Sequence, residues 1–167
     1  MSNSIVENQT KQVEAFLQET VNVITDYLNH HTITDLVEEV SDGDKVYYEG
    51  LLSANRRLLV FCEEGLDASR VLLKSSPFRK NAAENTLYKI YHQVISEFFS
   101  PKNDYWFENS RSAYTGKNAI AFPQTPPPSL QTMMKQLEGK FQSIREELEY
   151  YETDYKTKTM QSKFLRS

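Results

Sequence analysis

From Thr10 onward, Val13, Phe16, Leu17, Val21, Ile24, Tyr27 and Leu28 return at steps of three and four, with Lys11, Glu14, Gln18 and Asn22 between them. Residues i, i+3 and i+4 share one face of a helix, so this spacing predicts an amphipathic helix from Asn8 or Thr10 to about Asn29. In "HTITDLVEEVSDGDKVYY", Asp42-Gly43 reads either as a hairpin turn or as a break between two helices. The second reading is preferred, with a short helix over 33–40 and a new one capped by Asp44. Beyond it Tyr48, Leu51, Leu52, Asn55, Leu58, Leu59, Cys62, Leu66, Ser69 and Leu72 make a single stripe. Gly50 and Gly65 each count about 1 kcal/mol against that long helix, and a bend is expected at Gly65.

In "SSPFRKNAAENTLYKIYHQVISEFF", Ser76-Pro77 suits a first turn, and Asn81 with Glu84 resembles a capping arrangement. Leu87, Ile90, Tyr91, Val94, Ile95 and Phe98 form the next stripe, stopped by Pro101. After Pro126, Pro127 and Pro128, Ser129 is placed to cap a last helix. There Leu130, Met134, Leu137, Phe141, Ile144, Leu148, Tyr151 and Tyr155 alternate steps of four and three, the spacing of a helical seam. Residues 160–167 are expected to fray. The resulting fold class is all-α, a bundle of four long helices in a single domain over 1–167.

Residues 101–128 carry no helical stripe, and so long a structureless loop is unusual inside a domain. "SAYTGKNAIAF" offers a turn at Thr115-Gly116-Lys117-Asn118 between extended arms, which predicts a small β-hairpin with Tyr105, Trp106 and Phe107 beneath it. The plain reading is a crossover pinned to the bundle by aromatics. The functional reading is a lid over an anion pocket, with Arg111 and Lys117 as charges and Trp106 and Tyr114 as stacking surface.

Composition narrows the function classes. A chain of 167 residues with net charge −4 has no general field for phosphate backbones, so nucleic acid is not expected as a partner. No apolar run of about 20 residues predicts a membrane span. The start of the chain has no basic-then-apolar signal pattern, and the one cysteine, in "LLVFCEE", reads as a buried inert thiol. A cytoplasmic location is expected.

No glycine-rich phosphate loop, nucleophile elbow or Cys-His pairing occurs, so no catalytic residue is assigned. Adjacent His30 and His31 point in different directions on a helix and read as polar helix-end residues. The Glu-x-x-His spacing of diiron bundles is missing, and no metal or cofactor is expected. The acidic, tyrosine-rich end of the last helix is the more specific feature. Glu149, Tyr150, Tyr151, Glu152 and Tyr155 are read as a partner-binding surface that works by aromatic anchoring and charge complementarity.

The stretches "NQTKQVEAFL", "TDYLNHHTI", "FCEEGLDASR", "FRKNAAENTLYKIYHQ", "SRSAYTGKN" and "EELEYYETDY" together resemble the YpuI-like family of Bacillus-type bacteria, a domain of unknown function. The resemblance spans nearly the whole chain and implies no activity, cofactor or catalytic residue. The leading expectation is therefore a cytoplasmic helical interaction protein, pairing with another protein or with a second copy. The alternative is a binder of a small anionic ligand, or an enzyme without a familiar motif, with its pocket under a hairpin over 104–122.

Overall fold

The computed structural model describes residues 1–109 and 119–166. The Ser2 hydroxyl accepts the Ile5 N–H at 3.3 Å and so opens α1 (Asn3–His30), about a turn and a half before the predicted start at Asn8. His30 and His31 close it, their Nδ1 atoms each 2.8 Å from the carbonyl four residues back. Thr32 and Asp35 form a reciprocal capping box at the head of α2 (Ile33–Glu39). Asp44 accepts from the Val46 and Tyr47 N–H groups and starts α3 (Lys45–Lys74), which runs unbroken through Gly65. The third bundle helix is α4 (Lys80–Ile90), continued by a π turn (Tyr91–Ile95) and a last α turn, α5 (Ser96–Phe99). After two two-residue strands come α6 (Pro128–Glu147), a 3₁₀ turn (Glu149–Tyr151) and α7 (Asp154–Arg166).

Side-chain ties fix the directions. Arg70 meets Glu14, Lys140 meets Glu19, Tyr27 meets Ser129 and Arg57 meets Glu97. Early residues of one helix thus face late residues of the next, and α1, α3, α4–α5 and α6 alternate up and down, as short connections favour. The expected stripes are the core. Phe141 stacks on Phe98 at 3.9 Å and meets Phe16 edge-on at 4.8 Å, which joins three of the four helices. Four of the buried polar residues are paired locally: Thr10, Thr20, Asn55 and Ser69 each donate to the carbonyl four residues earlier.

Two caps differ from the sequence reading. Asn81 lies inside α4, whose N-cap position is Arg79, and Glu84 instead pairs with Lys80 at 3.5 Å. Ser129 is held from outside: the Glu39 carboxylate of α2 accepts its N–H at 2.9 Å and its hydroxyl at 2.6 Å. A carboxylate on that N-terminal amide does what a local cap would do, and a negative charge is favoured there by the helix dipole.

The hairpin is a two-stranded antiparallel pair, β1 (Phe107–Glu108) and β2 (Ile120–Ala121), with Phe107 opposite Ala121 and Glu108 opposite Ile120. Its position follows from helix lengths. Phe99, the end of α5, lies against Phe141 and Arg145, so the first dozen residues of α6 extend past the end of the third helix. At 1.5 Å per residue that overhang is roughly 20 Å. The hairpin fills the vacant corner, where the Ile120 N–H bonds Glu138 at 2.7 Å and Tyr47 donates to the Tyr105 carbonyl at 2.8 Å.

Gly50 is part of that closure. A Cβ there would stand 2.1 Å from the Tyr105 ring, whereas one at Gly139 would meet nothing within 4 Å. Opposite outcomes are therefore expected. Gly139→Ala should stabilise by about 0.5–1 kcal/mol through helix propensity, and Gly50→Ala should destabilise by about 1 kcal/mol net as the ring is displaced. Urea melts of both variants check this, and a stabilised Gly50→Ala would refute the packing.

Candidate functional site

The seam of the last helix is interrupted. Leu148 leaves α-helical geometry and Glu149–Tyr151 form a 3₁₀ turn, whose tighter winding turns Tyr151 inward. Tyr151 is fully buried and donates its hydroxyl to Gln9 Oε1 at 3.0 Å. The Gln9 amide also donates to the Glu147 carbonyl at 3.3 Å, one of the acceptors left open at the end of α6. His92 Nε2 lies 3.0 Å from the Tyr151 carbonyl, and since a carbonyl only accepts, that nitrogen carries the proton. Two side chains from other helices thus satisfy the break.

The five residues read as a partner surface accordingly separate. Tyr151 belongs to the core, out of reach of a partner. Tyr150 and Tyr155 are half-buried in a ring cluster, with Tyr155 at 5.5 Å from Tyr88, 5.6 Å from Tyr151 and 6.2 Å from Tyr150. Glu149 and Glu152 face solvent. The aromatic groups mainly anchor the helix beyond them.

That helix, α7, extends over residues expected to fray. Its half-buried positions are Tyr155 and Thr159, one turn apart. Met160 and Phe164, also one turn apart, lie on the other side and are 62% and 81% exposed, with Leu165 at 85%. Lys156 and Lys163 border this pair on one flank, and Lys158 lies beside Leu165 on the other. The helix presents its apolar side chains outward, the reverse of ordinary amphipathic packing.

Beside β2 lies an open cleft of about 550 Å³, bounded by Asn109, Ile120, Phe122, Gln131 and Lys135. Trp106 is buried and donates its indole N–H to the Phe98 carbonyl at 2.6 Å, while Phe107 is a half-exposed strand residue and not part of the layer beneath. Arg111, Tyr114 and Lys117 lie outside the described residues. Arg145, to which the sequence reading gives no role, ties the hairpin down: its guanidinium sits 3.7 Å over the Phe99 ring and 2.8 Å from Glu108.

The π turn has its own surroundings. Its extra residue puts successive side chains, His92 and Gln93, on the solvent side. Beside them a cleft of about 390 Å³ is bounded by Arg57 and Phe61 of α3, Tyr88 and Lys89 of α4, Glu97 and Lys102. Arg57 pairs with buried Glu97 at 3.2 Å and lies 5.2 Å over the Phe61 ring. Its cations come from separate segments: Arg57 from the basic pair in "ANRRLL", Lys89 from the middle of the third bundle helix and Lys102 from the loop after it.

Cys62 is a free, buried thiol pushed up to about 12 by burial, which suits the inert reading. Among the described residues no three His, Cys, Asp or Glu side chains converge as metal ligands, and no helix is long and apolar enough to cross a membrane.

A family model described as protein of unknown function (DUF3907) matches residues 10–157. The uncharacterized protein YpuI of Bacillus subtilis (strain 168) is 47% identical over 152 residues, which is 91% of this chain and 84% of that protein. No solved structure matches the chain.

Proposed function

This chain belongs to the family described as protein of unknown function (DUF3907), and we propose that it is a helical interaction protein whose helix α7 docks into an apolar groove rimmed by carboxylates on a partner protein. The observation that carries this reading is the outward pair Met160 and Phe164, with Leu165, on a helix anchored at Tyr155 and bordered by Lys156, Lys158 and Lys163. Apolar side chains one turn apart are how a helix engages a groove, and the lysines call for acidic rims. A second copy complements this less well. The open groove between α1 and α6 has Phe16 and Ile144 at its base but is rimmed by Glu19, Glu147, Lys135 and Lys140, two of each sign. A membrane surface fits less well too, because Thr157 and Gln161 interleave with the apolar pair and leave too narrow a face to enter lipid. The proposed setting is the cytoplasm, in keeping with a lone free thiol.

The test is a photo-crosslinking residue at Gln161 in the full chain, in extract from the source cells. One heterologous adduct is expected, its partner carrying an acid-rimmed groove. Its yield should fall about tenfold in a Met160→Ser, Phe164→Ser variant and at high salt. An adduct indifferent to the double variant, an adduct only between two copies, or capture only by anionic vesicles would each refute the proposal.

A further inference from the structure

The cleft beside the π turn carries a charge opposite in sign to that of the chain as a whole. It brings together three cations, Arg57, Lys89 and Lys102, against one carboxylate, Glu97, a local excess of two positive charges in a chain of net charge −4. Glu97 is committed to Arg57, with its side chain only 7% exposed. Lys89 and Lys102 form no ion pair with any described residue. A cleft partly walled by low-dielectric protein focuses such a field and concentrates anions.

The remaining walls select a shape. Phe61 and Tyr88 present rings from two different helices, and the His92 ring lies 4.5 Å from that of Tyr88. With its Nε2 proton committed to the Tyr151 carbonyl, His92 is held in place, and its neutral form leaves Nδ1 as an acceptor for a ligand N–H or O–H. Arg57 is likewise fixed, by Glu97 and by the Phe61 ring, so the site is largely pre-formed. Its 390 Å³ lies within the range of small-molecule sites.

We propose that this cleft binds a phosphate monoester carried on a planar ring, of about the size of a nucleoside monophosphate. Lys89 and Lys102 hold the phosphate, Arg57 adds a directed pair of donors, and Phe61 and Tyr88 take the ring. Ammonium groups on flexible stems suit the phosphate as point charges, and the guanidinium suits its oxygens in pairs. None of the proposed docking side chains Met160, Phe164 and Leu165 lines the site, which meets α7 through the contact of Tyr88 with Tyr155 at 5.5 Å.

The experiment is calorimetric titration of the full chain with adenosine 5′-monophosphate, adenosine and inorganic phosphate. The monophosphate should bind with Kd below about 1 mM, and at least about tenfold more tightly than either fragment. A Lys89→Gln, Lys102→Gln variant should lose about tenfold in affinity with an unchanged melt, since neither lysine is tied into the fold. Phe61→Leu should weaken the monophosphate by a larger factor than inorganic phosphate, because it removes the stacking surface while Glu97 still holds Arg57. No binding of the monophosphate at that concentration, equal binding by either fragment, or affinity unmoved by the lysine variant would overturn the assignment.

Discussion

Replacing Tyr151 by Ala is expected to destabilise the fold by about 3–5 kcal/mol, the usual loss for a large buried aromatic. The ring is fully enclosed at the point where α6 breaks, against Tyr150 at 5.2 Å and Tyr155 at 5.6 Å. Its removal empties a space bounded by several elements and also releases the Gln9 side chain that closes α6. Tyr151→Phe separates the two contributions. The ring stays, the hydroxyl goes, and Gln9 Oε1 loses its donor, for which about 1–3 kcal/mol is expected. Urea unfolding checks both variants: the midpoint should fall with the slope retained. A midpoint unmoved by Tyr151→Ala would refute the buried placement. The comparison with Met160→Ser is informative, because removing that exposed side chain should affect docking and leave the midpoint alone.

A cooperative loss of structure is expected on raising the pH from about 10 to 12. Burial, in every case the leading cause, raises the pKa of Tyr27, Tyr47, Tyr48, Tyr91, Tyr150 and Tyr151, with Tyr27 and Tyr47 each pushed up to about 12. Neighbouring carboxylates add to it, Glu39 for Tyr27 and Tyr48, Glu84 for Tyr150 and Tyr151. A phenol in the unfolded chain releases its proton near pH 10. Below that pH both states hold the proton and these groups leave stability unchanged. Above it the unfolded chain holds fewer protons than the native one, so stability falls with each step of pH until the folded-state values are passed. Phenolate absorbance should therefore lag behind that of free tyrosine and then rise together with loss of the helical circular dichroism. Ten tyrosines titrating together near pH 10 with the helical signal intact would contradict the burial of these rings.

The pairing of Asp44 with a stripe from Tyr48 to Leu72 was legible because cap and periodicity are local signals, and α3 follows both. The break at Leu148 was not legible. Tyr151 continues the three-and-four spacing, and what turns it inward is Gln9 and His92, 142 and 59 residues away. The same holds for the cap of α6, supplied by Glu39 and not by the local Ser129. Glycine was misleading in one respect. In the sequence Gly50 counts against a helix, whereas in the fold it leaves room for the Tyr105 ring.

The candidate sites divide along the same line. The sequence placed a tyrosine-rich feature near the chain's end and an anion pocket under the hairpin; in the fold Tyr151 is interior, Tyr155 packs on Tyr88 and Trp106 is buried against Phe98, while Arg111, Tyr114 and Lys117 lie outside the described residues. Arg57, Lys89 and Lys102 became neighbours only when α3 and α4–α5 packed together. By itself the sequence determined the helices, their buried faces, the kind of domain and the presence of a hairpin, because periodicity and caps act within a few residues. The tertiary structure alone decided where the last helix breaks, which aromatic rings are interior and which charges converge, because those depend on contacts between segments that no local pattern encodes.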